Sequence, residues 1–293
     1  MRILVFVAGS IGTYLGTLLY AKGHEVNLFG REKLKKLHET ILIGATPYSL
    51  PNRIYITPKN QEYDIIFITS KLYNLQSNLK LILNKNLKTK YLVSIQNGLV
   101  EPKIYKPYIK NSKFTTISVF EGFRLVENQL IASQSKTGWK TDNNQVGKKI
   151  SDILQSAGIN CSTVPNLETI KAEKTIMNCC VNLLSAIEKK TFFELCQNQK
   201  TRLRIDKLFD ESYNVLSKFI KLEPRETLRR LFYQTVSGMR HYSSTYQDAI
   251  SNRRTEIDFL NGLIVKMGKK YKIVTPENEI ILKEFKKIYP NSK

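Results

Sequence analysis

Lys174, Asn178 and Asn182 lie four residues apart in a stretch that is otherwise rich in Ile176, Met177, Cys179, Cys180, Val181, Leu183 and Leu184. Steps of four put all three on one side of a helix. Asparagine is a poor helix-interior residue and costly to bury without partners. Two of them in line with a lysine therefore point to the wall of a polar cleft; a solvated stripe more commonly uses Glu, Lys and Gln. Farther along, His241 to Asp248 and Asn252 to Glu256 gather hydroxyls and acids. Taken alone, Ser243 or Ser244 reads as a helix cap, and Glu256 as a first-turn acid favoured by the helix dipole.

A second chemical signal sits at the N-terminus, where Val7-Ala8-Gly9-Ser10-Ile11-Gly12 follows an apolar strand and precedes a helix. A dinucleotide fingerprint places a glycine at the tight turn, one where the backbone meets the pyrophosphate and one where helix and strand pack closely. Gly9 and Gly12 fill the second and third positions, and Val7 fills the first. A β-branched residue resists positive φ, so the turn is expected to be wider or differently shaped than usual. Arg31, with Lys33 after it, puts positive charge at the end of the second strand, where a 2′-phosphate would sit; this favours NADPH over NADH. Lys71 and Asn97 follow later buried strands, at the carboxyl ends where open α/β sheets bind ligands. Lys71 suits the adenosine phosphate and Asn97 the nicotinamide ribose or the substrate, although Asn97-Gly98 is also a common turn pair.

Other chemistries lack raw material. His24, His38 and His241 are the only histidines, too few for a histidine metal centre or a serine triad, and no metal site is expected. Cys161, Cys179, Cys180 and Cys196 lack zinc-site spacing and read as core thiols. The net charge of +21 is spread out: residues 1–167 hold 22 basic against 10 acidic residues, and residues 168–293 hold 24 against 15. With no basic tail, a polyanionic cofactor or a small acidic substrate fits better than nucleic acid. No apolar run approaches a membrane span and no signal peptide is visible, so a cytoplasmic protein without a membrane partner is expected.

These groups need elements to position them. Strands are expected at Ile3–Val7, His24–Phe29, Ile54–Thr57, Asp64–Thr69, Tyr91–Ile95, Thr115–Phe120 and Gln129–Ser133, with helices at Tyr14–Lys22, Leu72–Leu83 and Val146–Ala157. The strands show little alternation, as in a sheet covered on both faces. The pattern then turns helical: Ile170–Ile187, Leu203–Phe219, Arg225–Arg240, Arg254–Met267 and Asn278–Ile288. The fold class is thus α/β, an N-terminal Rossmann-like doubly wound sheet with a C-terminal all-helical domain. The boundary falls near 162–168, around Pro165, giving a dinucleotide-binding domain over 1–167 and a helical substrate and catalytic domain over 168–293. An active cleft is expected between them.

The sequence resembles the ketopantoate reductase family over nearly its whole length. The resemblance rests on Ile3 to Gly16, Gln96-Asn97-Gly98, the Lys174/Asn178/Asn182 block, Ser244 through Gln247-Asp248, Arg254 through Gly262, and Thr275-Pro276 with Asn278. It implies an NADPH-dependent oxidoreductase that makes pantoate for coenzyme A, with Val7 to Gly12, Arg31, Lys71 and Asn97 toward the cofactor. It further implies Lys174 as the general acid that protonates the keto oxygen, and Glu256 as the acid that binds the substrate hydroxyl. Asn97, Asn178, Asn182 and Ser244 match the remaining polar contacts. The chain departs from the family pattern at Val7, at Leu183 in place of proline, and at Phe192-Phe193-Glu194, where a substrate-binding asparagine and a glycine are usual. Three readings follow: reduction of ketopantoate by a monomer or homodimer, reduction of another branched 2-keto acid in a cleft shaped partly by Phe192, or a non-catalytic nucleotide-binding relative.

Overall fold

A computed structural model describes residues 1–30, 32–133, 135 and 137–292. The chain divides into two compact units, Met1–Leu167 and Glu168 onward.

In the first unit the order is β1 (Arg2–Phe6), α1 (Ser10–Ala21), β2 (Glu25–Phe29), α2 (Glu32–Lys35), β3 (Thr40–Ile43), β4 (Thr46–Ser49), β5 (Asn52–Ile54) and β6 (Glu62–Ile68). It continues with α3 (Leu75–Asn84), β7 (Lys88–Ile95), β8 (Lys113–Val119), β9 (Phe123–Val126), β10 (Gln129–Ala132), β11 (Trp139–Asp142), α4 (Gln145–Ser156) and β12 (Cys161–Val164). Eight strands form the main sheet in the order β12-β11-β8-β7-β6-β1-β2-β5. From β5 to β8 every pairing is parallel, with Val5 of β1 opposite Leu28 on one side and Phe67 on the other. Chain order reverses at β1, the topological switch point of a doubly wound sheet. Ile3, Leu4, Val5 and Phe6 are all fully buried, so both faces of β1 are covered, which is why the strand carries no alternation.

A four-stranded sheet, ordered β4-β3-β10-β9, is an addition of which sequence patterning showed one strand, the expected Gln129–Ser133 run that forms β10. Its strands are four residues each, and β4 contains Pro47. Strands β11 and β12 also escaped notice, because four residues cannot display a period. Register moves the expected strand at 54–57 back to Asn52–Ile54.

The second unit holds α5 (Leu167–Glu188), α6 (Phe192–Gln197), α7 (Gln199–Leu216), α8 (Arg225–Val236), α9 (Ser244–Ile250), α10 (Asn261–Tyr271) and α11 (Pro276–Ile288). Ala172, Ile176, Cys179, Cys180, Leu183 and Leu184 form a fully buried face on α5. All four cysteines are free and buried, the core thiols expected. Two helices are shorter than their patterns suggested: α8 ends at Val236, and Arg254–Met267 becomes a 3-10 turn at Ile257–Phe259 before α10. No helix among the described residues is long and apolar enough to cross a membrane.

Candidate active-site residues in the two units

The turn after β1 departs from expectation in an instructive way. Val7 adopts φ +63°, so the left-handed conformation is kept although valine occupies the glycine position. Valine thus takes the positive φ that its side chain resists, within a turn pinned by hydrogen bonds. The amide of Ala8 donates to the carbonyl of Phe29 at 2.7 Å, the amide of Thr69 to the carbonyl of Phe6 at 3.1 Å, and the Thr69 hydroxyl to the carbonyl of Val7 at 3.0 Å. Such a conformation costs on the order of 1–3 kcal/mol, and persists where neighbours over-determine it.

The two glycines divide their tasks as the spacing suggests. A side chain at Gly12 would meet Thr69 Oγ1 at 2.5 Å and Val5 Cγ1 at 3.0 Å, so glycine is what lets α1 lie against β1 and β6. A side chain at Gly9 would meet nothing within 4 Å, which leaves open space above the backbone at the start of α1. Free amides at a helix N-terminus beside open space are a physical fit for a pyrophosphate. Ser10 and Ile11 form the first turn of α1, with Ala8 buried beneath it. Arg31 lies outside the described residues.

Lys71 and Asn97 follow β6 and β7, neighbouring parallel strands whose carboxyl ends lie on the same edge of the sheet as Val7. Both are partly buried. The side chain of Gln96 fastens those ends together, donating to the carbonyls of Ile68 at 2.9 Å and Ser70 at 3.4 Å while accepting from Ser94. Gly98, at φ +85°, then turns the chain away. Gln96 therefore acts as the buried brace that orients the segment bearing Asn97.

In the helical unit, Lys174 and Asn178 are partly buried on α5, and Asn182 is buried. Burial, helped by the charge of Lys171 and opposed by the carboxylate of Glu256, pulls the Lys174 ammonium down to about 7. Lys174 and Glu256 are thus within electrostatic reach of each other. Glu256 is buried, but it sits before the 3-10 turn, not in the first turn of α10. The dipole reading of Glu256 is corrected accordingly. Lys171, also buried, was missed in the sequence because the stripe was read from Lys174 onward.

Two brackets hold these groups. The Ser243 hydroxyl donates to the carbonyl of Asn182 at 2.8 Å and accepts from the amide of Tyr246 at 3.0 Å, capping α9. Ser243 is therefore the structural serine, and Ser244 beside it is exposed. Asn261 donates to the carbonyl of Cys179 and to Asn278 Oδ1, each at 2.9 Å, and Asn278 donates in turn to Glu211 at 2.7 Å. This chain ties the segment after Glu256 to the middle of α5. Phe192 is buried edge-on against His241, with ring centroids 5.2 Å apart, and Thr191 with Glu194 forms a capping box for α6.

The family model described as Ketopantoate reductase PanE/ApbA matches residues 3–140, and that described as Ketopantoate reductase PanE/ApbA C terminal matches residues 166–289. The 2-dehydropantoate 2-reductase of Archaeoglobus fulgidus is 23% identical over 288 residues, covering 96% of this chain and 95% of the relative. A PanE/ApbA family ketopantoate reductase from Ralstonia eutropha JMP134 has a similar fold, with TM-score 0.88, 22% identity and 99% of each chain covered. D-mandelate dehydrogenase in complex with NADH gives TM-score 0.83, 23% identity and full coverage of both chains. At these identities the two solved structures establish likeness of fold.

Proposed function

The chain belongs to the ketopantoate reductase family, and on that premise we propose that it reduces 2-dehydropantoate to pantoate with NADPH, in pantothenate and coenzyme A biosynthesis in the cytoplasm. The observation that carries the reading is Lys174: a partly buried ammonium on the polar face of α5, drawn down to about 7 by burial and opposed by Glu256. General acids work best when their proton affinity lies near the operating pH.

The turn from Val7 to Gly12 would hold the pyrophosphate on the amides at the start of α1, with Lys71 and Asn97 on the neighbouring strand ends and Arg31 toward the 2′-phosphate. When bound, a nicotinamide cofactor supplies the hydride. Charge then builds on the keto oxygen, and Lys174 stabilises it before transferring its proton. Glu256 accepts a hydrogen bond from the substrate hydroxyl and favours the charged form of Lys174, keeping the proton available. Asn97, Asn178, Asn182 and Ser244 offer the remaining amide and hydroxyl contacts, with Asn182 and α9 fixed by Ser243.

D-mandelate dehydrogenase, a 2-hydroxy acid dehydrogenase by name, shares the fold, which gives weight to the second reading, another branched 2-keto acid. Comparison of kcat/KM for ketopantoate and its deoxy analogue separates the two, because a site that accepts a substrate hydroxyl strongly rejects the analogue without one. Ketopantoate is expected to win clearly, with NADPH bound more tightly than NADH at fixed ionic strength. A preference for the deoxy compound moves the assignment to another keto acid, and equal cofactor affinities remove the role given to Arg31.

A further inference from the structure

The polar stripe on α5 begins one turn earlier than its sequence spacing suggests. Lys171 lies three residues before Lys174, seven before Asn178 and eleven before Asn182. At about 100° per residue these four side chains share an arc of roughly 80°. Lys171 is only 9% exposed, a degree of burial that few lysines reach. Its charge acts on Lys174, so the two ammoniums repel each other within one helical turn. Their Cβ atoms are expected about 5–6 Å apart.

We infer that Lys171 is a substrate-binding residue that holds the carboxylate of a 2-keto acid while Lys174 faces the keto oxygen. This rests on the reductase reading and names the part of its substrate that the assigned residues leave without a cation. In a 2-keto acid the carboxylate is bonded directly to the carbonyl carbon. The group that holds the anion must therefore lie within a few ångströms of the group that protonates the ketone. Two flexible lysines one turn apart meet that requirement, and a carboxylate lying against both removes their mutual repulsion. The asparagines of the same stripe can orient the anion by hydrogen bonding but cannot neutralise it.

The test is calorimetric titration of ketopantoate into the NADP⁺-loaded protein for the parent, Lys171→Gln and Lys171→Arg, alongside NADPH oxidation by each. A lost charge-assisted contact weakens binding by roughly 10–100-fold, so Lys171→Gln is expected to raise Kd by at least about tenfold. Lys171→Arg should restore most of the affinity, and in turnover the glutamine variant should raise KM far more than it lowers kcat, the pattern of a contact made equally in ground and transition states. An unchanged Kd in Lys171→Gln, or an equal loss in both variants, overturns the anchor even if the parent is an active reductase. A parent that binds ketopantoate through Lys171 but oxidises no NADPH supports the anchor and refutes the reductase reading. A parent that binds no ketopantoate overturns both.

Discussion

The Thr69 hydroxyl, just beyond β6, donates to the carbonyl oxygen of Val7, just beyond β1, at 3.0 Å. A single side chain thereby spans the two strand ends and holds a β-branched residue at φ +63°. Replacing Val7 with glycine removes strain of about 1–3 kcal/mol against a glycine entropy cost of about 0.5–1 kcal/mol. Val7→Gly is therefore expected to raise Tm by a few degrees and to bind the cofactor at least as tightly. Thermal unfolding with and without NADPH checks it, and a lower Tm would show that Val7 is held there by favourable packing.

Ser243 and Ser244 are adjacent yet should respond differently. Ser243→Ala loses the α9 cap and the bond to the Asn182 carbonyl, a destabilisation of about 1–3 kcal/mol. Ser244→Ala, at an exposed position, should leave stability within about 0.5 kcal/mol of the parent while lowering kcat/KM. Urea unfolding and steady-state kinetics on both variants provide the comparison; unaltered kinetics in Ser244→Ala would remove Ser244 from the site.

Lys174 should also leave a mark on stability. Its proton affinity in the fold is about 7, against about 10.4 for an unfolded lysine. Between those values the unfolded chain binds more protons, so the lysine's destabilising contribution is full below about pH 7 and fades as pH rises toward 10. Lys174→Met is therefore expected to be more stable than the parent at pH 6, with a smaller advantage at pH 9. Denaturant midpoints at the two pH values check this, and an advantage that grows with pH would contradict the depressed proton affinity.

Much of the fold was legible because long elements display their periods. The apolar run Ile3 to Phe6 and the fully buried face of the 22-residue α5 could be read directly. Of the small sheet only β10 was legible, since each strand has four residues and its two hairpins join through chain far apart, as Leu130 pairs with Ile43. At the site, spacing revealed Lys174, Asn178 and Asn182, but burial was needed to see that Lys171 belongs with them. Ser243 and Ser244 are equivalent as sequence, and only the hydrogen bond to Asn182 separates the cap from its neighbour. Val7 shows the limit of local preference: residue type argued against positive φ, and three tertiary hydrogen bonds decided otherwise.

The most direct test of the proposed chemistry is kcat/KM for ketopantoate and NADPH in Lys174→Ala beside the parent, at pH 6.5 or below, about where the parent's acid remains protonated. Positioned proton transfer contributes roughly 10²–10⁴-fold, so a fall of at least about a hundredfold is expected in a variant whose circular dichroism and unfolding remain those of a folded protein. A folded Lys174→Ala that reduces ketopantoate at close to the parental rate would contradict the assignment of Lys174 as the acid.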